Sequence, residues 1–289
     1  MTDLFLSTVI DSFNWLLRLI TFEEAWYHNY FYGLIIISLL VWFAELMFPW
    51  RKAQKAFRQD FWLDGFYMFF NFFIFSTVIS GVYQVAEHGF SSFGFTIQSL
   101  SLFNLTEFFW GYQLLIFFIL NDFVQWFTHL MLHRTPVLWK FHKVHHSIVE
   151  MGFAGHLRYH WMENIFYKPL KTLVVMLMGG FEPKQAFIVH FITLIIGHIN
   201  HANIRVSYGP LKYVVNNPVM HLWHHAKQLP KGHQFGVNFG ISLSLWDYIF
   251  KTAYVPEDSG NLELGFDDIE HFPKSFVKQL GYGFHKEKR

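Results

Sequence analysis

FFWGYQLLIFFILNDFVQWFTHLMLH, residues 108–133, changes character halfway along without a break. Up to Leu120 it is apolar enough for lipid, and from there it carries Asn121, Asp122, Gln125, His129 and His133. Crossing about 30 Å of hydrocarbon takes about 20 mostly apolar residues. The window from Phe108 to Leu132 therefore predicts a membrane-spanning helix. Its second half must face protein, because ionisable groups turned towards lipid are expensive. His129 and His133 stand four apart, on one helical face and about 6 Å of rise from each other, a spacing that suits neighbouring metal ligands.

The rest of the chain points to lipid as part of its solvent. Of 289 residues only 15% are charged and 53% are hydrophobic, where ordinary soluble domains carry about 25% charged residues. Four more apolar windows lie near Tyr30–Phe48, Phe61–Val85, Ile165–Met178 and Ala186–Asn200, the last two joined by a turn at Gly179, Gly180, Phe181, Glu182 and Pro183. The expected fold is an all-α integral membrane protein with about five membrane-spanning or embedded helices and a cytosolic helical cap holding a histidine-rich dimetal site. Residues 1–105 would form an N-terminal interfacial helix and two spans, 106–255 the histidine-rich catalytic region, and 256–289 a cytosolic tail. Met1 to Ile20 has no basic start and is interrupted by Asp11, Asn14 and Arg18, so it reads as that interfacial helix rather than a cleavable signal. Five spans put nearly every Lys and Arg on one side, leaving Arg18 and Lys184 on the other. Short basic loops stay cytoplasmic, which predicts a multi-pass protein with its active site on the cytosolic face of a bacterial inner membrane or the endoplasmic reticulum.

With no Cys, disulfides, thiolate metal sites, iron–sulfur clusters and thiolate-ligated haem are excluded. A net charge of +1 lacks the clustered basic surplus of nucleic-acid binders. The 18 His are the anomaly. FHKVHHS places His142, His145 and His146 at i, i+3 and i+4, and HLWHH repeats the pattern with His221, His224 and His225. A lone histidine near an interface is ordinarily an amphipathic surface residue. Eight brought to one face by the predicted topology are different, since neutral imidazoles at low dielectric need partners and protonated ones repel. A bound cation satisfies them. His201, at the inner end of the last window, is a ninth candidate, and nine ligands exceed the four to six of one first-row ion, so two ions are expected. His198 and His160 are weaker candidates, and His156 is not expected to bind. Imidazole suits Fe, Zn, Cu and Ni alike. Asp122 precedes His129 by seven residues, two turns along the same face, and is expected to support a ligand from outside. Asn238 reads as a weak ligand or a turn residue. Arg158 with Glu163, and Trp246 with Asp247, read either as braces of the cage or as ordinary ion pairing and capping.

HLMLH at 129–133, FHKVHHS at 141–147, LRYHWMEN at 157–164, HANIRVSYGP from 201, NPVMHLWHH from 217, NFG at 238–240 and WDYIFKT from 246 together resemble the membrane fatty acid hydroxylase and sterol desaturase superfamily. The stretch from His201 to Thr252 looks particularly like its alkylglycerol monooxygenase branch and bacterial relatives. The resemblance implies two iron ions, with zinc as a substitute, O2 as co-substrate, and hydroxylation or desaturation of a lipid C–H bond. One departure is Lys251, where the family's closing turn has glycine. No dinucleotide fingerprint is present, so electrons are expected from a separate donor of cytochrome b5, ferredoxin or reductase type.

Other classes fit less well. A zinc-dependent membrane hydrolase would show H-E-x-x-H. A metal transporter or sensor would spread His and Asp along a mid-membrane path. A bis-His haem protein needs single histidines on facing spans. FYMFFNFFIF at 66–75 could line an acyl or sterol tunnel, although helices in lipid are apolar with or without a ligand.

Overall fold

The computed structural model describes residues 1–95, 101–105, 107–165, 167, 170, 171, 183–256 and 262–284. Among these residues the chain is helical, with isolated bridges but no strand. Three helical stretches among the described residues are long and apolar enough to cross a membrane: α2 (Tyr30–Met47), the run Phe61–Ser92, and α5 (Trp110–Arg134). The fifth window is helical within α7 (Pro183–His201). The fourth window and its turn fall almost entirely outside the described residues.

α5 has the split character its sequence announces. At 25 residues it is about 37 Å long, and Asn121, Asp122, Gln125 and His129 in its second half are all buried against protein. The run Phe61–Ser92 is not one regular helix. α3 (Phe61–Phe69) passes through a π-helical turn at Phe70–Ile74 into α4 (Phe75–Ser92). Wide turns of this kind free a backbone position and often mark working regions. Here Asn71 lies in the turn, and its amide donates to the carbonyls of Leu157 (3.0 Å) and Tyr159 (2.9 Å), tying the run to the segment that follows the second histidine group.

α1 (Thr2–Ile20) has a partner within the bundle. It packs lengthwise on α4, with Ser12 Oγ 2.8 Å from Ser80 Oγ and with Phe5 and Val9 filling the space over Gly81.

The C-terminal ends of α2, α5 and α7 and the start of α3 meet at one end of the bundle. Trp50, just past α2, donates its N–H to the Asn203 carbonyl just past α7. Arg58, before α3, pairs with Asp64 inside it, and Arg158 bridges Asp60 and Asp64 (3.1 and 3.0 Å) while donating to Ser147. Arg158 is only 1% exposed. Losing one member of such a buried network would strand the others' charges, at a cost of about 3–5 kcal/mol. Over this end sit α6 (Pro136–His146), α8 (Pro218–His224), the short α9 (Leu245–Ile249) and α10 (Phe276–Leu280).

Candidate metal centre

Each predicted ligand arrives on an element with its own local cause. His129 and His133 close α5. Pro136, fixed near helical φ, opens α6, which carries His142, His145 and His146 on its last turn. Asn217 caps α8 by accepting the Met220 N–H at 3.1 Å, with Pro218 at the first helical position, and α8 delivers His221, His224 and His225. His201 ends α7.

All nine converge, and they sort into two groups. His129, His133, His142, His146 and His224 form one, and His145, His201, His221 and His225 the other, with the ligand atoms of each group within 4.8 Å of one another. α6 and α8 each contribute to both groups.

The orientation of the rings is the informative part. His129 Nδ1 donates to the Phe239 carbonyl (2.8 Å), His145 Nδ1 to that of Arg158 (2.9 Å), His201 Nδ1 to that of Gly197 (2.8 Å) and His224 Nδ1 to that of Val237 (2.8 Å). A carbonyl only accepts, so each of these rings carries its proton on Nδ1 and presents a bare Nε2. Yet His145 Nε2 and His201 Nε2 face each other at 3.3 Å. Two lone pairs held that close repel unless a cation lies between them. Two nitrogens each about 2.1 Å from a shared ion are about 3.0 Å apart at a right angle and about 3.4 Å apart at the tetrahedral angle. The other facing pairs fall in the same range: His129 with His142 at 3.1 Å, His146 with His224 at 3.1 Å, His201 with His221 at 2.9 Å and His221 with His225 at 3.2 Å. His133 Nε2, buried, has no hydrogen-bond partner.

Protonation offers no relief. Burial first, and then repulsion from neighbouring rings, hold His142, His146, His221, His224 and His225 well below the usual imidazole range, and burial holds His145 at about 4. These donors fit two first-row ions held by imidazole nitrogen. Beside them, Glu163 shares a hydrogen bond with His142 Nδ1 (3.1 Å), and burial pushes its carboxyl up to about 8. A cation on His142 would favour its charged form.

The remaining candidates are placed differently. Asp122 accepts the N–H groups of Ser242 (3.1 Å) and Leu243 (3.2 Å) and the Trp246 indole (3.0 Å), and so holds the 242–246 loop rather than a ligand ring. Asp247 accepts from Trp126 (3.0 Å), Phe239 (2.9 Å), Gly240 (2.8 Å) and Thr252 (2.6 Å). The expected bracing pairs are thus exchanged. Trp246 serves Asp122, Trp126 serves Asp247, Arg158 pairs with Asp60 and Asp64, and Glu163 meets His142. Asn238, at φ 55°, clasps Tyr254 through its N–H and carbonyl and donates to the Met220 carbonyl (2.9 Å). Its side chain is spent on backbone, in the left-handed conformation that Asn tolerates. His160 bonds to the Leu280 carbonyl (2.9 Å), and His198 to Ser38 (3.2 Å) and His156 (3.1 Å), all outside the two groups. His156 sits so close over α7 that a Cβ at Gly197 would lie 2.1 Å from its ring.

A cavity of about 440 Å³ opens beside the cage, within the range of about 300–1,000 Å³ common for ligand sites. His129, His142, His145, His201 and His221 form one wall, and the cavity runs through Phe72 and Leu157 to Trp15 and Tyr30 near the other end of α2.

Residues 114–252, which hold both histidine groups and the loops that anchor them, match the fatty acid hydroxylase family model. That stretch, just under half of the chain, is similar to the fatty acid hydroxylase family. Among similar proteins are an ornithine lipid hydroxylase of Rhizobium tropici (27% identical, covering 62% of this chain and 52% of that protein) and human alkylglycerol monooxygenase (27%, 45% and 28%). A sphingolipid C4-hydroxylase of Schizosaccharomyces pombe is 28% identical over 52% of this chain and 50% of that protein. The chain thus spans about half or less of the length of these relatives. No solved structure matches it.

Proposed function

We propose that this chain is a multi-pass membrane hydroxylase that holds two iron ions in its nine-histidine cage and uses O2, with electrons from a separate donor, to oxidise a C–H bond of a lipid. The observation that carries this reading is the pair of bare nitrogens on His145 and His201, 3.3 Å apart with both partner nitrogens already bonded to carbonyls. His129, His133, His142, His146 and His224 would hold one ion, and His145, His201, His221 and His225 the other. When bound, the irons would supply O2 activation and the oxidising power for C–H cleavage.

The chain's own residues orient and enclose. Carbonyls of Arg158, Gly197, Val237 and Phe239 fix ring tautomers, which is the usual outer support of a metal-bound histidine. Asp247 fixes the backbone of Phe239 and Gly240, and Asp122 the loop that follows. The cavity brings an apolar chain against the open wall of the cage and excludes water from it. Basic residues that cluster past the inner ends of the helices, Arg51, Lys52, Lys140 and Lys143 among them, support a cytosolic orientation of this end.

The test is the purified protein reconstituted with Fe(II), a reductant and O2, followed by lipid mass spectrometry. About two irons per chain and an O2-dependent gain of one oxygen in a lipid are expected. Lipid oxidation that survives removal of metal by a chelator, or a preparation that takes up no iron, would overturn the reading. Loss of two hydrogens in place of a gain of oxygen would assign desaturation.

A further inference from the structure

The π turn sets a polar side chain into the wall of the same cavity. Asn71 is 2% exposed, and it lies ten residues past Phe61, about 15 Å along the run from the cage end of the bundle. It lines the cavity together with Phe72 and Leu157. Its Nδ2 is bonded to the carbonyls of Leu157 and Tyr159. Carbonyls only accept, so the NH2 group must face them and the amide cannot turn over. The other arm of the amide, Oδ1, has no hydrogen-bond partner. Among the described residues of the cavity it is the one buried side-chain oxygen left so. A buried acceptor without a donor needs explaining, and at membrane depth no bulk water supplies one.

The hydroxyls nearby are occupied. Ser76 Oγ donates to the carbonyls of Phe72 (2.6 Å) and Phe73 (2.9 Å), and Thr193 Oγ1 to that of His190 (2.8 Å). Beyond them the Tyr30 ring stands 6.3 Å from Trp15 and 6.0 Å from Phe72, centre to centre, so the far end of the cavity is walled by aromatic faces. Asn71 also sits beside the cage. Its two carbonyl partners flank Arg158, whose own carbonyl receives the His145 Nδ1–H at 2.9 Å.

We propose that Asn71 Oδ1 receives an uncharged hydrogen-bond donor of the lipid substrate, a hydroxyl or an amide N–H, while the apolar tail extends towards Phe72, Trp15 and Tyr30. An ester or ether oxygen offers only lone pairs to Oδ1 and is not recognised there. The proposal rests on the lipid-oxidising reading of the cage. It places the oxidised carbon near the donor in the substrate, because Asn71 is bonded on both sides of the residue that orients His145.

The experiment is equilibrium binding of two matched pairs of ligands to the full-length protein in detergent, without O2. Hexadecan-1-ol is compared with 1-methoxyhexadecane, and N-methylpalmitamide with N,N-dimethylpalmitamide; within each pair the donor hydrogen is replaced by methyl. The wild type is expected to bind the donor of at least one pair roughly tenfold more tightly than its methylated partner, the ratio expected when a buried acceptor gains its hydrogen bond. The pair that shows the larger ratio separates hydroxyl from amide. In Asn71→Leu that ratio should fall to about one. Asn71→Ser, whose hydroxyl can still bond one of the two carbonyls but is too short to replace Oδ1, should do the same, so the inference stays testable if Asn71→Leu does not fold. Equal binding within both pairs by the wild type would overturn the proposal, as would a ratio that survives in a folded Asn71 variant, since damage to the fold alone weakens both members of a pair together. Because binding is read without turnover, a donor preference that depends on Asn71 in a protein that oxidises no lipid would uphold the contact and reject the oxygenase.

Discussion

The unequal size of the two histidine groups makes a sharp prediction about metal content. His145→Ala takes one nitrogen from the group of four and leaves three, whereas His133→Ala takes one from the group of five and leaves four. Four-ligand protein sites bind a first-row ion with roughly 10–16 kcal/mol, or about 2.5–4 kcal/mol per ligand. At about 1.4 kcal/mol per tenfold, the His145 variant should hold its second ion roughly 10²- to 10³-fold more weakly. After loading with Fe(II) and gel filtration it should retain about one iron per chain, while the His133 variant stays close to two. Plasma mass spectrometry of the protein peak, with helicity checked by circular dichroism, measures this directly. Two irons retained in folded His145→Ala, or a greater loss from His133→Ala than from His145→Ala, would show that the grouping of the rings is not the grouping of the ions.

Two further outcomes follow from the surroundings of the cage. In Asp247→Asn an amide NH2 in place of Oδ2 would face the Gly240 N–H, now 2.8 Å from that oxygen, and the remaining bonds would lose their charge assistance. That should cost about 2–4 kcal/mol and lower the melting temperature by roughly 5–10 °C. Metal should be lost with it, because Phe239, whose N–H bonds to Asp247, anchors His129; a melting curve like the wild type's would refute this. In metal-free protein, His145 titrates at about 4, below its ordinary 6.5, so the unfolded chain takes up protons that the folded one refuses. Its contribution is therefore complete above about pH 6.5 and is lost as pH falls towards 4, to the extent of about 3 kcal/mol for this ring alone. Thermal melts of chelated protein from pH 8 to pH 5 should fall below pH 6.5, and a flat profile would contradict the buried neutral cage.

How far the sequence could be read depended on whether a feature is carried by side-chain identity. The convergence of the nine histidines was legible because helical periodicity puts the rings of each box on one face. The division into five and four was not, since α6 and α8 each feed both groups and sequence order does not reveal which ring turns which way. The carbonyls that set the tautomers were invisible for a simpler reason: every residue has one, so Arg158, Gly197, Val237 and Phe239 carry no signal for it. Local proximity misled at Asp247, which neighbours Trp246 in the chain but accepts from Trp126 on α5, and at Arg158, whose partners lie about 95 residues earlier across the bundle. Glu163 was singled out, but its bond to His142 could not be anticipated without the packing of the segment on α6. The break within Phe61–Ser92 was also hidden, because the Phe-rich stretch around Asn71 stays apolar enough to read as continuous helix.

That break has a consequence for length variation in the first half of the chain. The π turn houses one residue more than a regular turn would, so deleting any single residue within Phe70–Ile74 would let α3 and α4 merge into an ordinary helix. Because the wide turn already absorbs that residue, everything downstream would keep nearly its present rotation, whereas a deletion in the regular part of α3 would swing it by about 100°. In that second case Ser80 and Gly81 would rotate off α1, and Tyr83 would lose the bond its hydroxyl donates to the Asn164 carbonyl at 3.0 Å. The bulge is slack already taken up in one rod, so loss of a single residue should be tolerated there far better than in the helices on either side.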